Sequence, residues 1–265
     1  MAKSRRRFPA SLRTQGRFGV PGGARITVTM LEWEQIGDGI HVWHAALDRD
    51  ENSLSQLELA LSADEKARAD RFHFANDRKR FVAARGLLRE LLGKYLQQTP
   101  ASLEFSHGKH GKPSLSGTNV SSGLCFNLSH SAGMAVYAIA RQRNLGVDVE
   151  RVRQEFGGED IAKRYFSARE VSDLKALPAE AKAKGFFHCW TRKEAYLKAT
   201  GMGLQIPLGS FAVSLLPDKP ARFLEGVEPC WHLAAYDPAE GYVGAVAYDG
   251  APCSIQYFSV DSQIK

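Results

Sequence analysis

In "NLGVDVE" (144–150), apolar and polar residues alternate. Val147 and Val149 fall on one face of an extended chain, Asp148 and Glu150 on the other. That pattern predicts a half-buried strand. Similar runs predict strands at 39–47, 124–131, 134–140, 211–216, 231–236 and 242–248, with turn residues between them. Helical spacing predicts one or two helices over 62–96, opened by Ser62 and Glu65 in a capping-box arrangement. It predicts further helices at 167–177 and 184–200. "GKHGKPSL" (108–115) is a loop punctuated by Gly and Pro.

The order of elements partly repeats. A shift of 167 − 62 = 105 residues places Ser62, Ala63, Glu65, Lys79 and Phe81 on Ser167, Ala168, Glu170, Lys184 and Phe186. Each half then reads strand, capped helix, second helix opening on an aromatic, and a set of strands. The expectation is an α+β fold of two similar halves, 30–143 and 144–265, related by a pseudo-twofold axis with a ligand cleft between them.

Composition suits one large domain or two small ones: 265 residues, 44% hydrophobic and 24% charged. No apolar run approaches the roughly 20 residues that span a bilayer, so no membrane role is expected. Cys125, Cys189, Cys230 and Cys253 are scattered, with no C-x-x-C pair, which points to reduced thiols in a cytoplasmic protein. The net charge of +6 changes meaning once it is divided. Residues 1–29 hold 7 of the 35 bases and none of the 29 acids, leaving 28 bases and 29 acids, or −1, in the rest. The basic segment, with its Pro and Gly, is expected to be a disordered extension upstream of a start at Met30. A near-neutral body argues against a nucleic-acid partner.

Asp148 and Glu150 share a strand face, as a hard divalent cation would need. The bland alternative is a solvated polar face. In "FHCWTRKEAYLKATG" (187–201), Glu194 and Lys198 are four apart and so share a helix face, with Trp190 on nearly the same side. An exposed ion pair explains that equally well. Read together, Glu194 completes a three-carboxylate set and Lys198 supplies a counter-charge for a metal-bound phosphate. Lys112 in "GKP", and Ser129 and His130 in "NLSHS", suit a phosphate-rich ligand, although GKP is often only a turn and His130 only a strand-end imidazole. Among the bases of the first helices, most of which suit a solvated face, Arg80 and Arg85 flank the apolar Phe81-Val82.

These residues together resemble the 4'-phosphopantetheinyl transferases of the larger Sfp type. Gly146-Val147-Asp148 matches that family's G-[IV]-D pattern. Trp190-Thr191-Arg192-Lys193-Glu194-Ala195, closed by Lys198, matches its W-x-x-K-E-A-x-x-x-K pattern at a separation of 190 − 148 = 42 residues. The likeness covers roughly 40–248. It implies transfer of the phosphopantetheine arm of coenzyme A to a serine of an apo acyl or peptidyl carrier protein, by a monomer, with release of adenosine 3',5'-bisphosphate. It also implies Mg²⁺ held by Asp148, Glu150 and Glu194. Lys112, Pro113, Ser129 and His130 would lie along the nucleotide end, with Arg68, Arg80 and Arg85 near phosphate. Lys198 would meet the leaving phosphate, and Lys193 would bind phosphate or orient Glu194. Phe81 departs from the pattern, standing beside Arg80 where the family has a small hydroxyl residue. A Mg²⁺-dependent phosphohydrolase would need the same carboxylates but no carrier, and a non-catalytic binder would show no chemistry at all.

Overall fold

The computed structural model describes residues 36–216 and 219–263. The basic segment 1–29 and Met30 lie outside them. In chain order β1 (Ile40–Ala46) leads to α1 (Glu51–Leu59), α2 (Ala63–Ala69) and the long α3 (Ala75–Leu96). A small hairpin of β2 (Phe105–His107) and β3 (Pro113–Leu115) precedes β4 (Leu124–Ser131), β5 (Met134–Arg141) and β6 (Leu145–Arg151). Then come α4 (Glu159–Tyr165), α5 (Ala168–Ala176) and the second long helix, α6 (Ala179–Thr200). The chain closes with β7 (Ala212–Val213), β8 (Phe223–Glu225), β9 (Trp231–Tyr236), β10 (Tyr242–Asp249), β11 (Ile255–Ser259) and α7 (Val260–Gln263).

Both expected capping boxes form. Glu65 and Glu170 each reach back to the backbone N–H of their N-cap serines, Ser62 and Ser167. The strands form two main sheets, ordered β11-β1-β5-β4 and β6-β10-β9. Apolar alternation sets how they stack. Trp43, Tyr137 and Ile139 pack beneath α3 with Leu88, Leu91 and Leu92. Ile40, Val42, Val136 and Ala138 face Val147, Val149 and Val246 of the other sheet. The far side of that second sheet, with Ala245 and Ala247, packs on α6. The layers therefore run helix, sheet, sheet, helix. Each inner strand has both faces covered, so its alternation separates two buried environments rather than core from water.

Several elements differ from expectation. Only Ala212–Val213 of the strand expected at 211–216 is paired, and it meets β8 in a two-stranded ribbon. β11 runs parallel to β1, with Trp43 opposite Phe258. The end of the chain thus returns to the first sheet and covers what would otherwise be an open edge of β1. The strands of the two main sheets fall on either side of 143/144 except β11, which crosses into the first sheet. The two main sheets also differ in strand number, so the likeness between halves lies in their capped and long helices.

Candidate active site

The first motif residue explains how the site is assembled. A Cβ on Gly146 would collide with Ala195 O and Ala199 N of α6. Glycine lets β6 lie directly against the helix backbone, at the turn that carries Glu194 and Lys198. Two residues on, Asp148 points the same way and is only 4% exposed. The polar face of β6 is therefore not solvated; it lies under α6. Lys198 Nζ donates to Asp148 Oδ1 at 2.7 Å and to Ser129 Oγ at 2.8 Å. Ser129 Oγ donates to the same Oδ1 at 2.7 Å. Glu194 and Lys198 do share a face, but the lysine's carboxylate is on the neighbouring strand rather than one helical turn away.

Charge in this cleft is unbalanced. Burial raises the pKa of Glu194, Asp148 raises it further, and Lys198 opposes both. Glu150 is also raised, first by burial, with the Ser131 hydrogen bond opposing and Asp148 adding to the rise. Ser131 Oγ donates to Glu150 Oε2 at 2.6 Å. His130 is exposed as a residue. Its imidazole is nonetheless held below the ordinary range by burial of the ring and by the cations Lys198 and Arg68, against Asp148.

Among the described residues, no group of three or more His, Cys, Asp or Glu side chains is gathered tightly enough to hold a metal ion. The donor chemistry does suit one. Asp148 Oδ2 is buried and has no hydrogen-bond partner. Three carboxylates lie within electrostatic range of one another, and two of them are pushed toward protonation. A hard dication would relieve both conditions.

Several expected residues have other occupations. Lys193 is not in the cleft. It is fully buried, ion-paired with Glu170 at 2.9 Å, and donates to Leu208 O and Phe211 O at 2.6 Å each. Its three N–H groups are thereby used, so it neither binds phosphate nor orients Glu194. Arg85 is turned onto Glu65, which also takes Arg89 at 2.6 Å, and so is not free for a phosphate. Lys112 Nζ donates to Leu145 O and Ala199 O at 2.9 Å each, clipping the start of β6 to the end of α6. Burial lowers its pKa to about 8. Pro113 opens β3 opposite His107. Arg80 is exposed enough to serve a ligand but grips Asp48 through Nε at 2.7 Å and Nη2 at 2.9 Å. Arg68 lies over the Phe81 ring at 5.3 Å. Trp190 stacks on Phe186 at 6.1 Å, a packing role. Asn127 and Ser131 also reach β6, though no sequence motif singles them out. The available signal was spacing: residues 127, 129 and 131 share one face of β4.

Comparison with known proteins assigns the class. A profile described as "4'-phosphopantetheinyl transferase, N-terminal" matches residues 48–142, and one described as "4'-phosphopantetheinyl transferase superfamily" matches residues 144–247. The 4'-phosphopantetheinyl transferase HetI of Nostoc sp. is 43% identical over 215 residues, covering 81% of this chain and 90% of that protein. The 4'-phosphopantetheinyl transferase Sfp of Bacillus subtilis is 30% identical over 188 residues, covering 70% and 81%. The chain belongs to the 4'-phosphopantetheinyl transferase superfamily and is an enzyme of that class.

Proposed function

We propose that this enzyme moves the phosphopantetheine arm of coenzyme A onto a serine of an apo acyl or peptidyl carrier protein and releases adenosine 3',5'-bisphosphate. The observation that carries this reading is the Lys198–Ser129–Asp148 network beside Glu150 and Glu194, in a family whose members are phosphopantetheinyl transferases. Asp148, through its unpartnered Oδ2, would hold Mg²⁺ together with Glu150 and Glu194. The ion, when bound, would neutralise pyrophosphate charge and polarise the phosphorus under attack.

The chain's own groups do the rest. Glu194 is the group assigned to take the carrier serine's proton, directly or through water. Lys198 holds Asp148 in the free enzyme and is the cation placed to meet charge on the leaving phosphate. Arg68, Arg80, Ser129 and His130 are the groups left to face the nucleotide end. Lys112 acts by keeping β6 and α6 together. All three carboxylates come from one chain, which suits a monomer, and the free cysteines suit the cytoplasm.

The test is to incubate the protein with coenzyme A, Mg²⁺ and an apo carrier and to weigh the carrier. A gain of one phosphopantetheine, lost when the metal is chelated, is the expected result. Adenosine bisphosphate with an unmodified carrier would mean hydrolysis instead.

A further inference from the structure

β4 and β6 are edge strands of different sheets and share no backbone ladder. Side chains join them. Asn127 Oδ1 accepts from Val147 N at 2.9 Å, and Ser129 Oγ donates to Asp148 Oδ1 at 2.7 Å. Ser131 Oγ donates to Glu150 Oε2 at 2.6 Å and accepts from Arg151 N at 3.3 Å. Every second residue of β4 thus grips β6, either at a backbone N–H or at a carboxylate.

The two kinds of grip do different things. The bonds to Val147 N and Arg151 N fix where β6 lies along β4. A slip of one residue would turn Asp148 and Glu150 into the apolar layer between the sheets. The bonds to the carboxylates fix their rotamers. Asp148 has a second holder in Lys198, whereas Ser131 is the one side chain hydrogen-bonded to Glu150 among the described residues.

We infer that Ser131 is a positioning residue that fixes the Glu150 carboxylate, while Asn127 and Ser131 together hold β6 in the register that brings both carboxylates to one ligand. The inference rests on the proposed role of Glu150 in holding the metal. Ser131 touches no reacting atom in this role. Its effect should therefore appear in metal binding before it appears in coenzyme binding.

The test titrates Mn²⁺ into the full-length protein, with and without coenzyme A, and follows bound metal by electron paramagnetic resonance. Ser131→Ala should weaken Mn²⁺ binding about 10-fold, the scale of losing a hydrogen bond to a metal-holding carboxylate. Its thermal midpoint and its KM for coenzyme A should stay close to wild type. Ser131→Thr keeps the hydroxyl and should restore most of the affinity. Placed on Glu150→Gln, Ser131→Ala should add nothing, because the group it positions has lost its charge. Three results would overturn the role: wild-type Mn²⁺ affinity in Ser131→Ala, a further loss on top of Glu150→Gln, or a raised KM for coenzyme A. Wild-type affinity in Glu150→Gln alone would instead remove the metal reading of Glu150, and the inference with it, so the two failures are distinguishable.

Discussion

α3 and α6 are each 22 residues long and carry one signature. A shift of 193 − 89 = 104 residues places Arg89, Glu90 and Lys94 on Lys193, Glu194 and Lys198. The first members behave alike. Arg89 and Lys193 are both buried and both pair with a capping-box glutamate, Glu65 or Glu170. Each also donates to two carbonyls of the following loop: Pro100 and Leu103, or Leu208 and Phe211. This lock ties a long helix to the short capped helix before it and to the chain after it. The remaining members diverge because of what lies opposite. α3 packs over a sheet face built from Trp43 and Tyr137. α6 packs over β6, where Gly146 allows contact and Asp148 waits for Lys198. The same helical motif is scaffold on one side of the molecule and carries the proposed site on the other, and the facing strand makes the difference.

The strongest way to break this comparison is through the locks. Lys193→Ala should lower stability by about 3–5 kcal/mol, because it leaves the buried Glu170 without its cation, and Arg89→Ala by somewhat less, because Arg85 still pairs with Glu65. Chemical denaturation measures it. A loss under 1 kcal/mol in either would show that the two locks are not equivalent. Glu65 shows what the cations do: burial would raise its pKa, yet Arg85 and Arg89 hold it below the ordinary value.

The third members sharpen the contrast in rate. Lys198→Ala should slow single-turnover transfer about 10²-fold, the scale of losing one aligned charge at a transition state. Lys94→Ala should leave the rate unchanged. Lys198→Arg should recover only part, since a planar guanidinium does not replace a compact ammonium. Equal rates for Lys198→Ala and wild type would make both helices scaffold.

The smallest expected effect compares two buried histidines, one on each side. Burial lowers His41 to about 4, with a Gln256 hydrogen bond opposing. Burial, with the Arg192 charge adding to it, lowers His188 to about 3. Trp43 Nε1 donates to Tyr95 Oη at 2.9 Å, and the same hydroxyl is hydrogen-bonded to His41 Nδ1 at 2.6 Å. His188 Nδ1 accepts from Arg192 Nη2 at 2.9 Å. Both rings fold neutral, so below pH 6.5 the unfolded chain binds protons that the folded chain does not. Stability should fall with pH by about 1.4 kcal/mol per unit for each ring. His41's share should level off near pH 4. His41→Gln should flatten the slope between pH 6.5 and 4, as read from denaturation midpoints. An unchanged slope would mean that His41 titrates normally.

What the sequence determined by itself is local: which residues share a face. The alternation of 144–150, the two serine–glutamate capping boxes and the four-residue spacing of Glu194 and Lys198 all follow from helix and strand periods, and all are present. So is the family, because G-V-D and W-T-R-K-E-A-x-x-x-K stand 42 residues apart. What only the tertiary structure decided is what lies against each face. Lys193 and Lys198 are indistinguishable as letters, but one is sealed onto Glu170 and the other opens on Asp148. Arg85 became a structural partner of Glu65, Lys112 a clip between β6 and α6, and β11 a strand of the first sheet. Periodicity reports direction at a residue, while burial and pairing depend on segments as far as 255 − 40 = 215 positions away. A charge therefore becomes scaffold or chemistry only when the opposing surface arrives.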